Sequence, residues 1–93
     1  MKTGVELIAE ERKRQIEVEK WDEEHDDKHS KGEIANAARC YAIPGVKSWW
    51  TTGLDWPWNV SWWKPSDDPI RNLTKAGALI AAEIDRLQRQ KTK

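Results

Sequence analysis

The chain has 93 residues, seven tryptophans, no phenylalanine and a formal net charge of zero, with charged side chains at 34% of the total. That length makes one domain, which buries roughly 60–65% of its unfolded surface. The even charge balance lacks the basic footprint of a duplex-DNA binder, no apolar run approaches the ~18–20 residues of a membrane span, and the lone Cys40 excludes an internal disulfide.

The first helix is expected over about residues 4–20. Thr3-Gly4-Val5-Glu6 fits the capping box, in which the threonine hydroxyl and the glutamate carboxylate satisfy each other's backbone N–H groups. Val5, Ile8, Arg12, Gln15, Ile16 and Glu19 share one face at helical spacing. An arginine on a face meant for burial calls for a carboxylate or an anion to meet it.

Residues 22–29 hold five acids and two histidines in eight positions, with no apolar residue among them, and read as a solvated acidic connection. Ser30-Lys31-Gly32-Glu33 fits a second capping box and opens a helix over about 31–43. Its apolar face is Ile34, Ala37, Ala38 and Tyr41, and Pro44-Gly45 stops it. Cys40 on this helix reads as a small buried thiol rather than a nucleophile.

Six of the seven tryptophans fall in the segment 44–66. A structureless stretch that long is unusual inside a compact domain, so it should be functional or carry short structure of its own. Asp68 then caps, and Pro69 begins, a last helix over about 69–90. Ile70, Leu73, Gly77, Ile80, Ile84 and Leu87 form a heptad seam on it. The expected fold is therefore all-α: a small three-helix domain with a Trp-rich insertion between the second and third helices. Its thin aliphatic supply points to a homo-oligomer joined through the 70–87 seam.

Three constellations could carry chemistry. His25, Asp26, Asp27, His29 and Glu33 could hold a metal ion, either Mg²⁺ through the carboxylates or a transition metal through the histidines. Against this, Ser30 as a cap would leave both histidines outside the helix and engage Glu33 elsewhere. The cations Arg12, Arg39, Arg71 and Lys75 could gather on an anion; Arg71 and Lys75 share a face near a helix N-terminus. Alternatively, they simply pair with the abundant carboxylates. The tryptophans are either core and interface material or a wall on which a flat ligand stacks. In the second case Trp56, Trp58 and Trp62 supply the faces, with Lys64 and Asn59 as polar contacts. No nucleophilic triad, phosphate loop or zinc pattern is legible, so metal-assisted attack of water is the one reaction these residues could support.

The string Glu11-Arg12-Lys13-Arg14-Gln15-Ile16, Trp21, His25-Asp26-Asp27 with His29, Gly32-Glu33 with Ala37-Ala38 and Tyr41, Trp56-Pro57-Trp58, Trp62-Trp63-Lys64-Pro65 and Arg71 leading into Lys75-Ala76-Gly77-Ala78-Leu79-Ile80 resembles a family of short phage and prophage proteins. Lys20 stands where that resemblance calls for a glycine. A looser likeness is to MazG-like all-α nucleotide pyrophosphohydrolases, but their paired E-x-x-E and E-x-x-D carboxylates are not legible here.

The resemblance implies a phage-encoded protein of the host cytoplasm. The combination of cations and tryptophans without a catalytic motif, with a looser analogy to compact phage proteins that act as sponges for host-defence nucleotides, adds a further expectation. It is that the protein binds a small phosphorylated, nucleotide-like ligand and sequesters such a signal, with no cofactor. Arg12, Arg71 and Lys75 would hold phosphate while Trp56, Trp58 or Trp62 stacks the base. Two alternatives are a Mg²⁺-dependent pyrophosphohydrolase using Asp26, Asp27 and Glu33, and an inhibitor that presents its tryptophans to a host protein.

Overall fold

The computed structural model describes residues 1–43 and 56–92, and within them the fold is all-α. Four helices follow in order: α1 (Gly4–Glu17), α2 (Glu23–Asp27), α3 (Glu33–Ala42) and α4 (Pro69–Lys91), with a single 3-10 turn (Val60–Trp62) before the last. Pro44-Gly45, Trp49 and Trp50 lie outside the described residues. No helix among the described residues is long and apolar enough to cross a membrane.

The capping box of α1 forms as its residues dictate. Glu6 N–H donates to Thr3 Oγ1 (3.2 Å) and Thr3 N–H donates to Glu6 Oε1 (2.8 Å). The helix ends three residues short of the expected boundary, because Lys20 adopts the left-handed conformation (φ 65°). Glycine takes that conformation without the Cβ clash that other residues incur, which accounts for the glycine expected there. The reversal is closed by Trp21 N–H donating to the Gln15 carbonyl (2.9 Å).

The acidic connection is not simply solvated. Asp22 accepts from His25 N–H (3.0 Å) and caps the short helix α2, which turns Asp26 inward to 2% exposure. The second capping box does not form. Gly32 (φ 84°) takes the cap position of α3 with no side-chain bond, and Glu33 instead accepts from Lys31 N–H (2.6 Å). At α4 the sequence reading holds: Asp68 Oδ1 accepts from Ile70 N–H (2.9 Å) and Pro69 follows.

α4 is the spine, packing along α3 and α1 and touching α2 near its C-terminal end. The core is built of Ile34, Ala37, Ala38, Cys40 and Tyr41 from α3, Trp63, and Ala76, Leu79 and Ala82 from α4. Gly77 marks the close approach of α1, where a Cβ would run into the side chain of Ile8. The heptad seam is not what α4 buries. Ile70, Leu73, Ile80, Ile84 and Leu87 are all exposed, and the inward face consists of alanines, Leu79, Asn72, Thr74 and the Glu83–Arg86 pair.

Candidate functional site

Arg12 on α1 organises one wall of the site. Its Nη1 donates to the Trp21 carbonyl (3.2 Å) and its Nη2 to Asp26 Oδ2 (2.8 Å), tying the turn after α1 to α2. The other oxygen of Asp26 lies 3.0 Å from His25 Nδ1. A buried carboxylate paired on one side and bonded to an imidazole on the other fixes that ring's orientation. The His25 ring in turn stacks on Trp21, with centroids 5.8 Å apart and planes 11° from parallel.

From there aromatic contact runs without a break. His29 meets His25 edge-on (5.0 Å) and tilts against Trp58 (5.1 Å), and Trp58 meets Trp56 at 86° (5.4 Å). Trp56 then contacts Tyr41 at 90° (5.7 Å) and Trp63 (4.8 Å). Perpendicular and tilted contacts are the arrangement that the ring quadrupole favours. Trp56 Nε1 donates to the Asn59 carbonyl (3.0 Å), and Asn59 Oδ1 accepts from Ser61 N–H (2.9 Å), so the 3-10 turn holds the segment against the helices. Tyr41 joins the two by accepting from Lys64 N–H (3.2 Å).

The rings enclose a largely apolar chamber of about 510 Å³, walled by Trp21, Tyr41, Trp56, Trp58 and Trp62, with Leu79 contributing from α4. His25 and His29 line it too, and Glu19, Lys20 and Asn59 complete its lining. The size falls within the range of small-molecule sites, about 300–1,000 Å³. The described tryptophans divide between the core and the lining of the chamber. Trp63 is core, Trp62 is half exposed with Lys64 Nζ 5.9 Å from its ring, and Trp56 and Trp58 pack on the core while facing the chamber. The buried Nε1 of Trp58 has no hydrogen-bond partner among the described residues. Trp63 Nε1 and Gln15 Oε1 are buried without a partner in the same way, and such a group carries a desolvation cost of about 1–3 kcal/mol.

A small recess of about 50 Å³ shares Glu19, Trp21, Tyr41, Trp62 and Leu79 with the chamber and adds Glu11, Arg14, Gln15, Lys64 and Lys75. Its charges are unevenly satisfied. Glu11, 3% exposed, accepts from Arg14 Nε and Nη2 (both 2.9 Å) and pairs with Arg71 Nη1 (2.7 Å). Burial pushes the Glu11 carboxyl up, but the bonds and charges of the two arginines outweigh it and hold the group below the ordinary carboxylate range. Lys75 Nζ, by contrast, donates to the Lys64 carbonyl (2.8 Å) and lies 5.4 Å from the centre of the Tyr41 ring. Among the described residues no carboxylate is within ion-pair reach of it. Burial, then the nearby Arg71, push its ammonium below the usual lysine value.

The expected cation set is thus divided. Lys64 and Lys75 adjoin the aromatic walls. Arg71 is occupied by Glu11 and Arg12 by Asp26, so both are structural ties, and Arg39 sits exposed on α3 outside the chamber lining. The expected metal set does not assemble either. Asp26 serves Arg12 and His25, Asp27 pairs with Arg89 (2.8 Å), and Glu33 lies 3.7 Å from His29 Nδ1. Among the described residues no three His, Cys, Asp or Glu side chains gather as a metal-binding group. The sequence reading passed over Trp21 and Tyr41 as chamber walls. Their signal was the αL turn at Lys20 and the inward register of α3, and it is visible only once the helices are packed. No family model, curated protein or solved structure matches the chain.

Proposed function

We propose that the protein is a binding protein for a small planar, nucleotide-like ligand, with the base held in the aromatic chamber and the anionic end directed to Lys64 and Lys75. The observation that carries this is the chamber of about 510 Å³ lined by Trp21, Tyr41, Trp56, Trp58 and Trp62. Stacking of a base on an aromatic side chain contributes about 1–3 kcal/mol per ring, and the polar edge of the base calls for a partner in the same cavity. His25, anchored through Nδ1 by Asp26, offers its other nitrogen to the same edge. The half-buried Lys75 ammonium gains an anion's charge at the recess without displacing a carboxylate partner, whereas Arg14 and Arg71 would have to give up Glu11.

With Asp26, Asp27 and Glu33 each turned to a different partner, these residues favour returning the ligand unchanged. That behaviour suits sequestration of a host-defence nucleotide signal, as in the looser analogy to other compact phage proteins.

Calorimetry against nucleosides and nucleotides, linear and cyclic, tests the reading. At least one should bind with Kd below about 100 μM, roughly −5.5 kcal/mol. Trp58→Ala should weaken it tenfold or more, and Lys75→Ala should weaken the nucleotide but not its nucleoside. No binding across the panel overturns the proposal, and release of pyrophosphate in the presence of Mg²⁺ replaces it with the enzyme alternative.

A further inference from the structure

Helix α4 carries an apolar strip that the described residues leave exposed on either side of Gly77, where Ile8 of α1 sits. Ile70 (61%), Leu73 (56%), Ile80 (49%), Ile84 (51%) and Leu87 (46%) are exposed along it. A contiguous apolar surface of this kind on a small chain marks an interaction face. Four observations identify what covers it.

The seam positions 70, 73, 77, 80, 84 and 87 are separated by three, four, three, four and three residues, an order that is the same from either end. Such a seam is self-complementary about a two-fold axis: in antiparallel register Ile70 lies opposite Leu87 and Leu73 opposite Ile84, while Ile80 meets the partner at Gly77, where the side chain of Ile8 adds its own apolar surface. Heptad spacing of this type seats side chains of one helix between those of its partner.

The strip carries no charged side chain from Ile70 to Leu87, and its flanks there include Ala81 and Gln88, so pairing strands no ion. Just beyond the seam, the same register sets Lys91 of one copy beside Asp67 and Asp68 of the other, twice over by symmetry. It also lays each helix N-terminus against a C-terminus, the favourable order of the helix dipoles. Finally, the seam runs along about 25 Å of helix, long enough for five apolar side chains of each copy to interdigitate with those of the other.

The geometry points to a symmetric homodimer in which two α4 helices pair antiparallel through Ile70, Leu73, Ile80, Ile84 and Leu87. The aromatic chamber is walled within one chain, so the dimer carries two chambers and does not depend on the binding reading.

Sedimentation equilibrium of the full chain should give twice the 10.8 kDa protomer mass at tens of micromolar. Ile84→Asp should return it to the monomer, with its helical circular dichroism retained. A wild-type monomer, or an Ile84→Asp variant that keeps the dimer mass, overturns the proposal, as does a larger assembly. Register is tested by cysteine cross-linking, for which the native Cys40 is buried out of reach. Ile80→Cys, next to the two-fold axis, should form a disulfide-linked dimer on mild oxidation, and Leu87→Cys, far from it, should not. Efficient cross-linking at Leu87→Cys would show parallel pairing and sink the antiparallel assignment. Lys91→Glu should weaken association a few-fold, the scale of exposed ion pairs.

Discussion

The two faces of α4 invert the usual arrangement. Its buried face is Ala76, Ala78, Leu79 and Ala82 with Asn72, Thr74, Glu83 and Arg86 among them, while its Ile and Leu side chains at 70, 73, 80, 84 and 87 stand exposed. Small residues let α1 and α3 approach closely, and polar residues are tolerated inside because each finds a partner within reach. Asn72 accepts from Ser66 N–H (2.7 Å) and donates to the Ser66 carbonyl (2.8 Å), and Thr74 donates to the Ile70 carbonyl (2.7 Å). The comparison teaches that apolar periodicity locates a helix face but does not say whether the chain or something else buries it.

The sharpest way to break that comparison is on the inner face. Arg86 is 5% exposed, and its Nε and Nη2 donate to Glu83 at 2.6 and 3.0 Å. Glu83→Ala removes the bidentate partner and leaves a buried guanidinium that, among the described residues, hydrogen-bonds Gln90 and feels Asp27 and Glu33 only through space. The expected loss is about 2–4 kcal/mol, because an uncompensated buried charge costs far more than the pair contributes. Urea unfolding of the two proteins measures it. A loss under about 0.5 kcal/mol would mean that the inner polar pair is no better committed than a surface one.

A smaller effect follows from acid, through the contact that ties α1 to α4. The folded-state pKa of Glu11 lies below its ordinary value of 4.5, because the bonds from Arg14 and Arg71 outweigh the burial that raises it. A carboxyl with a depressed folded pKa contributes fully above the unfolded value, and that contribution is lost as pH falls through the folded one. Stability should therefore decline below about pH 4.5 more steeply in the wild type than in Glu11→Gln, which has no such proton to take up. Unfolding midpoints at neutral pH and across the acid range test this, and parallel curves for the two proteins would reject it.

Much of the scaffold was legible from local chemistry. The Thr3 box and the Asp68-Pro69 start are written in side chains that act on their own next few residues, and both form. Arg12 called for a carboxylate or an anion, and its partner Asp26 comes from a segment read as solvated, since five acids in a row of eight hide the one that turns inward. The cap of α3 was misplaced because Gly32 in αL competes with Ser30 for the same turn. The site was half legible. The tryptophan density pointed to Trp56, Trp58 and Trp62, whereas the choice among cations depended on which of them the fold had already neutralised. Arg71 and Lys75 share a helix face four residues apart, yet only Arg71 meets Glu11, and sequence spacing carries no information about a carboxylate on another helix.

The smallest expected effect is also the one that separates the two faces of α4 most cleanly. Leu73 is 56% exposed, so Leu73→Gln removes little that the single chain buries. At concentrations low enough to hold the protein monomeric, its unfolding free energy should match the wild type within about 0.5 kcal/mol, the range of surface substitutions. A partner that binds only the folded chain adds stability that grows with concentration. On concentrating both proteins, the wild-type midpoint should therefore climb while that of Leu73→Gln lags behind. A large loss at the dilute end would place Leu73 in the protomer's own core, and the apparent inversion of α4 would then vanish.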